Sequence, residues 1–279
     1  MSQGGWHFSR VGGMLANVND AKPKAYRAIA EYYDAENADQ PVLEQDVPFF
    51  MGQLPQRRQS ILELAVGTAR AAIPLAQAGH RVVGVDYDED MLGIGRRKRD
   101  AVGLRDSDLE LIHADCLDLN LGQQFDWVCV FFNTFLAFTT LEQQDAVLQG
   151  ALRHLKPRGR FWLDIFQPDI KRLARPKATG IDPTLFYVPR FDRTVLKTVD
   201  LRQFPERQLQ RVTFNYQWFS KQGDPRRRSR SFDLTYIFPR ELRILLERNG
   251  LRIEHLWGNY DASPISANSP RMIARCCRM

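Results

Sequence analysis

A chain of 279 residues has room for one large α/β unit, or for one such unit interrupted by an insertion. It carries a net charge of +6 and four cysteines, Cys116, Cys129, Cys276 and Cys277, with no C-x-x-C pair, which speaks against a disulfide framework or a metal site and fits a reducing cytoplasm. No apolar run approaches the ~20 residues of a membrane span, and MSQGGWHFSR lacks the apolar core of a secretory signal, so a cytoplasmic protein with no membrane partner is expected.

The charge is unevenly spread. Residues 1–150 hold 13 Lys and Arg against 21 Asp and Glu, whereas residues 151–230 hold 19 against 7. Such asymmetry signals either an anionic partner or a solvated basic face.

Residues 1–22 show no period and read as a lead-in or lid. Tyr26, Ile29, Ala30 and Tyr33 recur at helical spacing and predict a helix over residues 23–33. A second helix is predicted over residues 42–53. The stretch SILELAVGTARAAIPLAQAGHRVVGVDYDED, residues 60–90, then organises the rest of the chain. It reads as a strand over 61–64, a turn around Gly67 with the small Ala65 and Ala69, a helix over 68–78 stopped by Gly79, and a strand over 81–85 that delivers Asp86. In open α/β sheets ligands bind at the carboxyl ends of strands. A nucleotide-like ligand is therefore expected across Gly67, with Asp86 on its ribose. A nicotinamide dinucleotide needs G-x-G-x-x-G, of which this turn keeps one glycine, and Glu63 inside the first strand would repel a diphosphate. A purely structural βαβ unit is the remaining alternative.

The phrase E-L-A-x-G-T-x-R, followed by G-V-D at the next strand end and then M-L, resembles the class I S-adenosylmethionine-dependent methyltransferases. The cysteine usual in that turn is Val66 here, and its last glycine is Ala69. The resemblance spans roughly residues 30–167 and 239–278 and is closest in texture to small-molecule N- and O-methyltransferases. It implies a Rossmann-like sheet of six parallel strands and one antiparallel strand, with S-adenosylmethionine as cofactor. It also implies cofactor contacts from Tyr33, Glu63, Ala65, Gly67, Arg70 and Asp86, and from Tyr87 and Met91 beside the adenosine.

Beyond Asp86, Asp88 is placed as the N-cap of a helix ending in the basic run 96–99. A third strand over 109–113 leads to Asp115 and Cys116, an acid and a backbone N–H suited to an adenine edge; His113, at its end, is read as packed. A fourth strand over 125–131 reaches the active-site rim. There the resemblance implies that a backbone carbonyl, that of Phe131, holds the methionine ammonium, and Asn133 is positioned to orient a substrate. A helix over 141–155 and a fifth strand in LKPRGRFWLDIF follow.

Residues 167–238 interrupt this core. Val212, Phe214, Tyr216 and Trp218, and later Phe232, Leu234, Tyr236 and Phe238, alternate with polar neighbours as in antiparallel strands, joined through residues 222–225. Residues 194–201 suggest a third strand. Tyr216 and Tyr236 are candidates for substrate contact on this flap. A helix over 239–249 and strands over 251–257 and 271–276 complete the chain, with His255 at a packed strand position. The expected organisation is thus a helical lead-in over 1–59, a core over 60–166 and 239–279, and an antiparallel β insertion over 167–238. A small-molecule acceptor of anionic character and a homodimer through the flap are expected. The alternatives are a nucleic-acid methyltransferase using Arg226, Arg227, Arg228 and Arg230, or a non-catalytic binding module. No residue pattern identifies a general base.

Overall fold

A computed structural model describes residues 30–38 and 40–279. The lead-in over 1–22 and most of the helix expected over 23–33 lie outside the described residues.

In chain order the elements are α1 (Ala30–Asn37), α2 (Pro41–Met51), β1 (Ser60–Leu64), α3 (Ala72–Gln77), β2 (Arg81–Asp86), α4 (Glu89–Ala101), β3 (Leu109–His113) and β4 (Phe125–Val130). A 3-10 turn (Thr134–Ala137), α5 (Leu141–Arg153), β5 (Leu155–Phe166) and α6 (Ile170–Leu173) come next. Then follow β6 (Lys177–Val188), β7 (Arg193–Phe204), β8 (Leu209–Phe219), β9 (Pro225–Thr235), α7 (Pro239–Arg248), β10 (Leu251–Trp257) and β11 (Arg271–Arg278).

Seven strands form one sheet in the order β10-β11-β5-β4-β1-β2-β3. β1 runs parallel to β2 and β4, β2 to β3, and β4 to β5, while β11 is antiparallel to both β5 and β10. Six strands therefore run one way and β11 alone runs back, as expected. Strand order reverses between β1 and β4, the place where open α/β sheets bind ligands at the carboxyl ends of their strands.

The central strands are apolar because helices cover both faces. Successive residues of β1 serve the two sides. Leu62 and Leu64 pack with Val147, Leu148, Leu245 and Leu246 of α5 and α7. Ile61 packs with Phe50, Ile73, Leu75 and Leu92 of α2, α3 and α4. Phe50, Ile61 and Leu62 are fully buried, each burial contributing about 1.5–3 kcal/mol. The helix starts are built as the sequence dictates. The Asp88 carboxylate accepts the N–H groups of Asp90 and Met91, and Thr140 with Gln143 forms a capping box on α5.

Two expectations change. The helix after the turn begins at Ala72 rather than Thr68, because Ala65, Gly67 and Ala69 all adopt positive φ, at 54°, 56° and 60°, and keep the chain out of the helix until it has passed. The insertion has four strands, not two or three, in the antiparallel order β6-β7-β8-β9. β6 escapes a period-2 reading because its pairing with β7 slips twice between Ala178 and Thr184, where Gly180 and Asp182 take positive φ.

α1 sits in the seam between this small sheet and the core. Tyr32 stacks on Tyr216, with ring centroids 5.4 Å apart, and packs with Phe186, Val188 and Val195. Glu36 accepts a hydrogen bond from the Tyr216 hydroxyl at 2.8 Å and lies 3.5 Å from the Lys197 ammonium. On the core side, Asp34 accepts hydrogen bonds from Thr68 at 2.7 Å and Lys98 at 3.0 Å.

Candidate active site

The ends of β1, β2 and β3 converge on one buried carboxylate. The Gly67 N–H donates to Asp86 Oδ2 at 2.8 Å, and the Asp88 N–H donates to Oδ1 at 2.9 Å. Asp86 thereby ties the turn to the start of α4. Burial raises its pKa, against the backbone hydrogen bonds that favour the charged form. The Tyr87 N–H bonds to it as well, so one of the four lone pairs on its two oxygens remains for a ligand hydroxyl. Met91 lies against the turn, since a Cβ on Gly67 would come within 3.3 Å of its methyl carbon. The Tyr87 carbonyl accepts a 2.8 Å hydrogen bond from His113 Nε2; the histidine expected to be packed is exposed at the strand end and is tied down by this bond. Asp115 accepts the Leu117 N–H at 3.0 Å. Cys116 is 7% exposed, and burial together with the charges of Asp86 and Asp115 pushes its thiol up to about 12. The Ala65 N–H bonds to that thiol, so β3's end reaches the turn.

Beneath the turn is a second group of charges. Arg70 grips Asp46 of α2 with two hydrogen bonds, of 2.9 and 2.5 Å. Glu63 lies between this pair and Asp86. Its side chain is 4% exposed and its Oε2 has no hydrogen-bond partner. Burial pushes its carboxyl up to about 8; Arg70 opposes the shift, and Asp46 and Asp86 add to it. Tyr33 of α1 is within electrostatic reach of Arg70.

The rim at the end of β4 is the part that the residue pattern showed least. Phe132 and Asn133 are successive non-glycine residues at φ 43° and 63°, a strained pair of the kind found at functional sites. The Phe132 ring sits between two guanidiniums, 6.0 Å from Arg70 and 5.2 Å from Arg271. Arg271 donates through Nε to the wholly buried Asp164 at 2.6 Å, and Tyr260 donates to the same carboxylate at 2.5 Å. Burial raises the pKa of Asp164 while Arg271 pulls it back. The signal available was an acid inside the apolar phrase FWLDIF and an arginine opening the last strand.

Three expected substrate contacts sit elsewhere than on an open surface. The Asn133 side-chain oxygen accepts hydrogen bonds from the Phe166 N–H at 2.7 Å and from Arg271 at 3.1 Å, so it braces the rim instead of pointing at the crevice. Tyr216 is fully buried, with its hydroxyl committed to Glu36. Tyr236 is 6% exposed, its backbone bonded to Gln208 where β9 passes into α7, and its ring against Phe238. Alternation pointed to a strand face for Tyr216 and Tyr236, but an inward-facing aromatic packs as readily on a helix as on a ligand. Phe131 is buried, and its carbonyl accepts the Thr134 N–H at 3.3 Å, leaving one lone pair. His255 stacks on Trp257 but is exposed, so the packed position expected for it is not the one it takes: β10 lies at the sheet edge and turns this side chain outward.

Residues 61–159 match the model of the methyltransferase domain family. Over 219 residues, covering 78% of this chain and 83% of the relative, the sequence is 30% identical to the cypemycin N-terminal methyltransferase of a Streptomyces species. The fold is similar to that of the CcbJ methyltransferase from Streptomyces caelestis, with a TM-score of 0.71 and 23% identity over 91% of this chain and 96% of that one. It is also similar to the sugar N-methyltransferase KedS8 from Streptoalloteichus sp ATCC 53650, with a TM-score of 0.67 and 21% identity over 98% of this chain and 100% of the other.

Proposed function

Because this chain belongs to the S-adenosylmethionine-dependent methyltransferase family, we propose that it methylates a small metabolite at nitrogen or oxygen, with an amine nitrogen favoured. The donor carries its methyl group already activated on a positive sulfur, so the protein's task is to position the groups and exclude water. The observation that carries the reading is Glu63. A buried carboxyl with an unpartnered oxygen under the turn suits a ligand with a cationic amino-acid part, and it is hostile to a diphosphate.

In this reading Asp86 takes the ribose hydroxyls. Asp115 and the Cys116 N–H take the adenine, and Tyr87 and Met91 flank it. Glu63 and the Phe131 carbonyl face the ammonium. Ala65 and Gly67 let the backbone approach, Arg70 orients Glu63, and Tyr33 covers the turn. Residues 1–59 are the helical lead-in and lid, with α2 packed on the core and the lid role falling to the segment around Tyr33; residues 60–166 and 239–279 bind the donor, and residues 167–238 select the acceptor. The acceptor is of anionic character, consistent with the basic insertion. No side chain is assigned as general base.

A nucleic-acid substrate is not favoured, since the similar proteins are the cypemycin N-terminal methyltransferase and a sugar N-methyltransferase. Arg226, Arg228 and Arg230 pair across the ladder with Trp218, Tyr216 and Phe214, while the intervening Arg227 faces the other side and donates to Asn215 at 2.8 Å. The basic residues that share a face thus alternate with aromatic partners, an arrangement that also suits an anionic small acceptor. The flap's outer face offers Leu185, Tyr187 and Phe219 at 70%, 52% and 72% exposure, a patch that supports a homodimer. Among the described residues no helix is long and apolar enough to cross a membrane; a cytoplasmic location is part of the same proposal.

Incubation with S-adenosylmethionine and, separately, with pools of amine metabolites, hydroxyl metabolites and tRNA tests the assignment, reading release of S-adenosylhomocysteine. Turnover with the amine pool is expected. Turnover with tRNA alone would overturn the small-molecule reading.

A further inference from the structure

We infer that uptake of the donor drives a proton off Glu63 into solvent, so that this chain binds its cofactor in exchange for a hydrogen ion. The inference rests on the donor reading above and adds to it the charge state of the site.

The geometry is one of crowded acids. Glu63 sits mid-sheet, with Gly84 of β2 and Cys129 of β4 as its register partners. From α2 it faces Asp46, from the turn Arg70, and from β2 Asp86. The Cys129 thiol is buried, and burial keeps it protonated. Tyr33 of α1 acts on the group through Arg70. Farther out, Arg271 is already paired with Asp164. Arg70 is the only one of these neighbours of Glu63 that is cationic, and Asp46 holds it with both carboxylate oxygens. An ionised Glu63 would then stand beside Asp86 and a neutralised ion pair, almost wholly shielded from water, with one oxygen unbonded. The carboxyl keeps its proton instead. A bound ligand cation supplies the missing countercharge: the O–H bond of Glu63 breaks, its electron pair stays on the carboxylate, and the proton passes to buffer.

Calorimetric titration of the whole chain with S-adenosylmethionine at pH 6.5, in buffers of different ionisation enthalpy, counts the protons released. At that pH the ligand's own α-amino group, with an ordinary pKa of about 7.7–8.0, is already charged and contributes little. More than about half a proton per bound ligand is expected for the wild type, and close to none for Glu63→Gln, which mimics the protonated acid and should fold. Binding of the wild type without proton release, or equal release in both proteins, would overturn the inference while leaving the donor assignment intact. Absence of binding in the wild type would overturn both.

Discussion

Asp86 holds the backbone amides of Gly67, Tyr87 and Asp88 while still offering a lone pair to a ligand, so its removal has two consequences. Charged hydrogen bonds are worth about 1.5–3 kcal/mol each. Asp86→Ala is expected to weaken S-adenosylmethionine by about one to two orders of magnitude in calorimetry, and to lower the melting temperature because Gly67 and Asp88 lose their acceptor. Unchanged affinity in a folded variant would contradict the ribose assignment. Glu63 makes a separate claim on stability. An acid whose folded pKa lies above its unfolded value contributes stability that is fully present below the unfolded value, 4.5, and lost as pH rises through the folded one, about 8. Denaturation of the ligand-free chain at a series of pH values should show that loss between those limits, and Glu63→Gln should remove that part of the slope. At this scale the positions of the candidate residues were largely legible. Glu63, Gly67, Asp86, Asp115 and Cys116 sit at strand ends that periodicity locates, and the structure gathers them around one turn. Arg271, Asp164 and Tyr260 were not legible as a group, because residues some hundred positions apart meet only once β5 and β11 have paired.

Among the elements, α1 joins the cofactor turn to the flap. Its Asp34 holds Thr68 and Lys98, and its Tyr32 and Glu36 enter the aromatic seam of the small sheet. Glu36 is 4% exposed; burial raises its pKa and the Lys197 charge lowers it. Lys197 also lies 4.3 Å from the Phe214 ring centroid. Glu36→Ala would leave that ammonium buried without its anion, at a cost of about 3–5 kcal/mol in urea denaturation. Glu36→Gln, which keeps an acceptor for Tyr216, should cost less. Tyr33→Ala should lower turnover more than stability, and hydrogen exchange over residues 30–38 should slow when S-adenosylmethionine is added, a closure that excludes water. Equal exchange with and without cofactor would mean that α1 is fixed. Strands β1 and β3 follow their apolar runs to within a residue. The late start of α3 and the whole of β6 did not show in the pattern, because positive φ at successive positions and two register slips leave no simple period.

On the scale of the molecule, a mixed sheet of seven strands is joined by an antiparallel sheet of four that carries Arg226, Arg228 and Arg230 on one face and Arg227 on the other. The exposed Leu185, Tyr187 and Phe219 share the outer one. If that face joins two copies, Phe219→Asp should shift sedimentation toward the monomer without altering donor affinity. The parallel core was legible because fully covered strands read as apolar runs. The role of the flap was not, since alternation gives a strand two faces without saying which neighbour covers each. The central claim is that the turn over Glu63 receives a cationic donor and not a dinucleotide. Titration calorimetry of the wild-type chain with S-adenosylmethionine and with NAD tests it most directly. Micromolar binding of S-adenosylmethionine with no heat from NAD is the expected result; micromolar binding of NAD with none of S-adenosylmethionine would contradict it.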